Sequence, residues 1–151
     1  MANKTILGIL LVLALVACTV TTSSGLSIAS TSFATENAKG EMIKTDSDVF
    51  PRGIKVALLL QDVQSFQKGD DGKRWADLDV VITDASGEVV LDTKGILGEK
   101  AHMVTDESTL QLSAFFKAPK DAPVGKYTFK VTAYDKVAGT SATVSKPFTL
   151  K

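Results

Sequence analysis

Apolar and polar residues alternate with a period of two through most of the chain after residue 50. Tyr127, Phe129, Val131 and Ala133 alternate with Lys126, Thr128, Lys130 and Thr132, which predicts a strand with one wet face over 126–135. Ala76, Leu78, Val80 and Ile82 alternate in the same way with Trp75, Asp77, Asp79 and Val81. Leu110, Leu112, Ala114 and Phe116 predict a third strand, and Ala142, Val144, Phe148 and Leu150 a fourth. Ile54 to Val63 is the most apolar stretch, and Leu58-Leu59-Leu60 predicts a central strand covered in part on both faces. The turn Asp84-Ala85-Ser86-Gly87 joins the second strand to Glu88–Thr93 as a hairpin, with Gly87 in the left-handed position. Ala138-Gly139-Thr140 closes another hairpin before the last strand. Helical spacing is found only near the N-terminus.

About seven short strands with turn signals near every ten residues predict an all-β fold, an immunoglobulin-like antiparallel sandwich over 41–151. The stretch Asp121-Ala122-Pro123-Val124-Gly125-Lys126-Tyr127-Thr128-Phe129 resembles the turn into the next-to-last strand of bacterial immunoglobulin-like and fibronectin-type modules. That resemblance implies a tyrosine corner at Tyr127 and a core position at Phe129, where antibody domains carry a disulfide cysteine.

The N-terminal segment follows a different pattern. Lys4 precedes the apolar run Ile6 to Ala17, which is too short to cross a hydrocarbon core that needs about 20 helical residues. This is the layout of a signal peptide over 1–17. Leu15-Val16-Ala17-Cys18 is similar to the lipobox of bacterial lipoproteins, which implies cleavage before Cys18 and acylation of its thiol and new amino group. The resemblance also implies a cell-envelope protein, and Thr19 in place of Asp implies the outer membrane in a Gram-negative cell. From Thr19 to Thr35 ten of seventeen residues are Ser or Thr, with no charge, so residues 18–40 are expected to form a lipidated Cys and a flexible linker.

Composition narrows the chemistry. The 151 residues include 17 basic and 17 acidic side chains but one His, one Cys and one Trp. Zero net charge gives no field to attract nucleic acid, and one His with one Cys makes neither a zinc finger nor a disulfide. Gly95-Ile96-Leu97-Gly98 lacks the lysine of a phosphate loop, and no nucleophile elbow surrounds Ser108. The expectation is a binding or structural module, not an enzyme, with no cofactor. Its partners would be the membrane through its lipid anchor and an envelope protein or polysaccharide.

Two sets of residues remain as site candidates. Trp75 and Tyr134, like Leu59 and Phe115, fall on the wet faces of their strands, and Ile96 and Leu97 sit in the long segment from Lys94 to Ser108. Trp75, Ile96, Leu97, Phe115 and Tyr134 are therefore the binding candidates. The alternative is an envelope metal-binding protein or hydrolase using the Asp70–Asp84 acidic cluster and His102. Asp70, Asp71, Asp77 and Asp79 would supply calcium oxygens, although their spacing is not that of an EF-hand. His102 with Met103 and Met42 would be the soft set for copper. The plainer reading takes the strand pairing that the immunoglobulin-like resemblance implies, which sets Asp77 and Asp79 on one outer face with Lys126 and Lys130. A third possibility is strand exchange, with an N-terminal segment donated to a neighbouring copy.

Overall fold

From Gly125 to Asp135 the alternating apolar side chains Tyr127, Phe129, Val131 and Ala133 are all buried, while Lys126 and Lys130 point to solvent. The same division of faces repeats strand by strand. The computed structural model describes residues 18–22 and 25–151; residues 1–17, on which the signal-peptide expectation and the first three residues of the lipobox-like motif fall, lie outside them.

Among the described residues eleven strands form: β1 (Thr19–Thr22), β2 (Ser27–Glu36), β3 (Met42–Thr45), β4 (Val49–Phe50), β5 (Lys55–Gln64), β6 (Arg74–Thr83), β7 (Val89–Thr93), β8 (His102–Met103), β9 (Leu110–Lys117), β10 (Gly125–Asp135) and β11 (Thr140–Leu150). One sheet runs β1-β11-β10-β6-β7, with β4 beside β11 and β8 beside β6; the other runs β3-β2-β5-β9. Every pairing is antiparallel except that of β4 with β11. The strands of five or more residues are the seven β2, β5, β6, β7, β9, β10 and β11, so the fold is the all-β immunoglobulin-like sandwich that the alternation predicts.

The core is built on aromatic rings that meet between the sheets. Phe148 lies 5.6 Å from Tyr127, 6.0 Å from Phe33, 6.1 Å from Phe116, 6.2 Å from Phe50 and 6.3 Å from Phe129, measured between ring centroids. Edge-to-face and offset contacts at such distances add to the area that each ring buries. Tyr127 also makes the corner: its hydroxyl donates to the Pro123 carbonyl at 2.8 Å, four residues upstream.

The domain boundary differs from the expectation. Residues 27–36 form a full-length strand between β3 and β5, and Leu26, Phe33 and Ala34 are each only 1% exposed. The flexible-linker assignment of 18–40 is thus corrected for the described residues: Thr19–Thr22 and Ser27–Glu36 are strands of the sandwich. The physical reason is that Ser and Thr hydroxyls are tolerated on the outer side of a strand, while a few apolar residues suffice to seal its inner side. β1 in turn pairs with β11, with Thr19 opposite Ser145, so Cys18 sits at the sandwich itself, its Sγ 3.9 Å from Thr31 Oγ1.

Phe33→Ala is expected to cost about 3–5 kcal/mol, the usual loss for an aromatic ring in a packed core. A linker residue would change stability by less than about 0.5 kcal/mol, and chemical denaturation distinguishes the two. Tyr127→Phe, which removes only the corner hydrogen bond, is expected to cost about 1 kcal/mol in the same measurement.

Candidate functional site

The segment after β7 does not loop into solvent but docks along β6. Gly95 takes a left-handed φ of 61°, which turns the chain so that its N–H donates to Asp79 Oδ1 at 2.9 Å. The Ile96 N–H then donates to the Leu78 carbonyl at 3.0 Å, and the Leu97 N–H to Asp77 Oδ1 at 3.1 Å. A short 3-10 turn, Gly98–Ala101, leads into β8, which pairs with Arg74 and Trp75. There the His102 ring stacks on Trp75 at 4.7 Å and 16°, and His102 Nε2 lies 2.9 Å from Asp71 Oδ2. The Asp71 carboxyl is held below the usual carboxylate range, first by the Lys73 backbone N–H and further by His102. His102 is half-buried.

These contacts disperse the acidic cluster. Asp70 is exposed in the turn before β6, Asp71 pairs with His102, and Asp77 and Asp79 accept backbone N–H groups of the docked segment. Asp84 Oδ1 is occupied within the β6–β7 turn by the Ser86 N–H and hydroxyl and by the Glu88 N–H. Among the described residues no three His, Cys, Asp or Glu side chains are grouped to hold a metal ion. The cluster is therefore spread along one strand and two turns, and Asp71, Asp77, Asp79 and Asp84 each meet a different partner.

The cross-strand expectation is right in its strands and wrong in its register. β6 pairs with β10, but Tyr134 stands opposite Asp77 and Thr132 opposite Asp79, whereas Lys130 stands opposite Val81. Asp79 is met instead by the Tyr134 hydroxyl at 2.9 Å and by Lys94 Nζ at 3.7 Å. Burial, and next the bond to the Asp79 carboxylate, push the Tyr134 hydroxyl above the ordinary tyrosine value.

Beside the docked segment, apolar hollows stay open. β7 and β9 are edge strands of opposite sheets, and on their side of the sandwich three hollows follow one another along β9. The first, about 520 Å³, is lined by Leu97, Met103, Leu110 and Leu112, with Lys100 and Glu107 among its polar residues. A second, about 310 Å³, lies between Leu91, Ile96 and Phe115. The third, about 300 Å³, lies between Val90, Phe116, Ala122 and Tyr127. Ile96 and Leu97 line the first two, so they and Phe115 come together in one trench. Trp75 and Tyr134 do not join them; they lie on the outer side of the larger sheet, with Lys136 Nζ 5.9 Å from the centre of the Trp75 ring.

No family model and no curated protein matches the chain. Solved structures do. The C-terminal domain of Wzt superposes with a TM-score of 0.52 at 15% identity, over 89% of this chain and 78% of that one. The soluble domain of PmoD from Methylocystis sp. ATCC 49242 (Rockwell) gives a TM-score of 0.37 at 16% identity, over 84% of this chain and 97% of that one. The likeness to the Wzt domain supports the sandwich fold.

Sequence reasoning finds Ile96, Leu97 and Phe115 but misses the opposite wall of the trench, Val90 and Leu91. Its signal is the consecutive run Val89-Val90-Leu91, which breaks the alternation just where a strand at a sheet edge should turn polar.

Because the Tyr134 pKa is raised, its neutral form is favoured by the fold. That stability is fully present below about 10, the unfolded value, and is lost as pH rises through the folded one. Asp79→Asn removes a neighbouring anion and is expected to lower the Tyr134 ionisation midpoint in an ultraviolet titration, with Tyr134→Phe identifying the transition. An unchanged midpoint would contradict the contact.

Proposed function

We propose that the chain is a non-catalytic binding module of the cell envelope, held to a membrane by acyl chains on Cys18 and presenting the trench between β7 and β9 to a partner. One observation carries this reading. Asp71 is engaged with His102, and Asp77 and Asp79 with the segment after β7, while the large apolar hollows at the β7 and β9 edges stay open. Hollows of a few hundred cubic ångströms with apolar walls and few polar groups are the usual form of a binding site.

The anchor agrees with this arrangement. Cys18 directly precedes β1, at one edge of the larger sheet, and β7 is the opposite edge. Acyl chains at Cys18 would set the β1 edge against the bilayer, with almost no free chain between, and turn the trench away from it. Two or three chains, each worth about 0.8 kcal/mol per buried methylene, make such an attachment stable.

The test is fractionation of cells making the full chain with a photo-crosslinking residue at Ile96 or, as control, at the exposed Ile43 on β3. The chain is expected in the membrane fraction and Cys18→Ala in the soluble envelope fraction, with a discrete adduct from position 96 and none from 43. Equal partition of the two forms would contradict the anchor. Adducts no stronger at 96 than at 43 would contradict the binding surface.

A further inference from the structure

The partner's chemistry can be read from the edge that borders the trench. β9 pairs along one side only, with β5, so about half of its backbone N–H and C=O groups point outward, and no backbone group among the described residues meets them. Sheet edges of this kind are ordinarily blunted by inward-pointing charge, by Pro, or by shortness. β9 is eight residues long, contains no Pro, and carries its one charged side chain at the end, Lys117.

The hollows are arranged to match an extended chain lying on that edge. Their β9 walls are Leu110 to Leu112, then Ser113 and Phe115, then Phe116, so they succeed one another every two to three strand residues, about 7–10 Å. In a strand added beside β9, side chains on the inner side recur every second residue, about 7 Å apart. They would face Val90, Leu91 and Ile96 on the opposite wall. A hydrocarbon chain would fill the hollows and leave the outward backbone groups of β9 unmet, and a sugar would find apolar walls where it needs hydrogen-bond partners.

We propose that the trench receives an extended segment of a partner protein, which adds as a strand to the outer edge of β9 and seats apolar side chains at alternate positions in the three hollows. This rests on the binding-module reading and supplies its ligand class. Main-chain bonds to β9 give the affinity, and the hollows select the side chains. The largest hollow, with flexible Met103 in its wall, takes the bulkiest of them.

The probe is a displayed library of random twelve-residue linear peptides, selected on the full chain purified in detergent. Enriched sequences are expected to carry apolar residues at i, i+2 and i+4. A synthetic enriched peptide is expected to lose at least ten-fold in affinity when alternate backbone nitrogens are methylated, and as much against Ile96→Glu or Met103→Glu. Both positions are exposed, and melting curves confirm that the variants fold; Ile43→Glu, away from the trench, should bind as the parent does. Failure to enrich alternating apolar sequences, or binding that survives methylation at every position or survives both trench substitutions, would overturn the proposal. Concentration-dependent dimerisation abolished by Ile96→Glu would also overturn it, since the trench would then belong to a second copy. Retained crosslinking from position 96 in cells alongside such a failure leaves the binding module standing and removes only the peptide.

Discussion

The constraint on which this fold depends is the placement of Phe148 among five other rings. Phe33 and Phe116 reach it from the smaller sheet, Tyr127 and Phe129 from its own sheet, and Phe50 from the short β4. A sandwich is stable only when both inner faces are covered, and apolar area removed from water contributes about 25 cal/mol per Å². Without β2 the Phe33 side of that cluster would lie open. The Ser/Thr-rich segment is therefore required by the core, and its inclusion draws the chain back to Cys18 at the edge of the larger sheet. The N-terminal side of the sandwich is closed in this way; among the described residues the β7–β9 side has no comparable element.

That asymmetry connects fold to function. On the open side three carboxylates hold structural contacts. Asp77 and Asp79 hold the segment after β7 by its backbone N–H groups, and the Trp75–His102 stack with Asp71 fastens β8 to β6. Buried Asp135 does similar work at the other hairpin, accepting the N–H groups of Val137, Ala138 and Gln67. With the segment fastened, Ile96 and Leu97 become fixed walls of the trench. A surface of this kind suits recognition by shape and main-chain pairing.

The pairing of β10 with β11, the two hairpin turns and the corner at Tyr127 were legible in the sequence, because each depends on local alternation or on a turn signal a few residues long; the pairing of β6 with β10 followed only from the immunoglobulin-like resemblance, without its register. β2 was not, since hydroxyl side chains on its outer side mask the few apolar residues that seal the inner one. The fate of Asp77 and Asp79 was also hidden. Their partners are backbone groups some twenty residues away, brought near by the left-handed bend at Gly95, and composition shows only a cluster of carboxylates. The trench was half visible: Phe115 stands out as an apolar residue out of phase, and Ile96 and Leu97 as apolar residues in a long segment, but which strands end a sheet is decided by long-range pairing.

The most direct test of this account is amide hydrogen exchange followed peptide by peptide. If the Ser/Thr-rich segment closes the core around Phe148, amides of 27–36 should be protected to the same degree as those of 125–135, and both should open only with global unfolding. Exchange of 27–36 at the rate of an unstructured chain, with 125–135 protected, would contradict it: the segment would be a tether, and the sandwich would lack the strand that closes it.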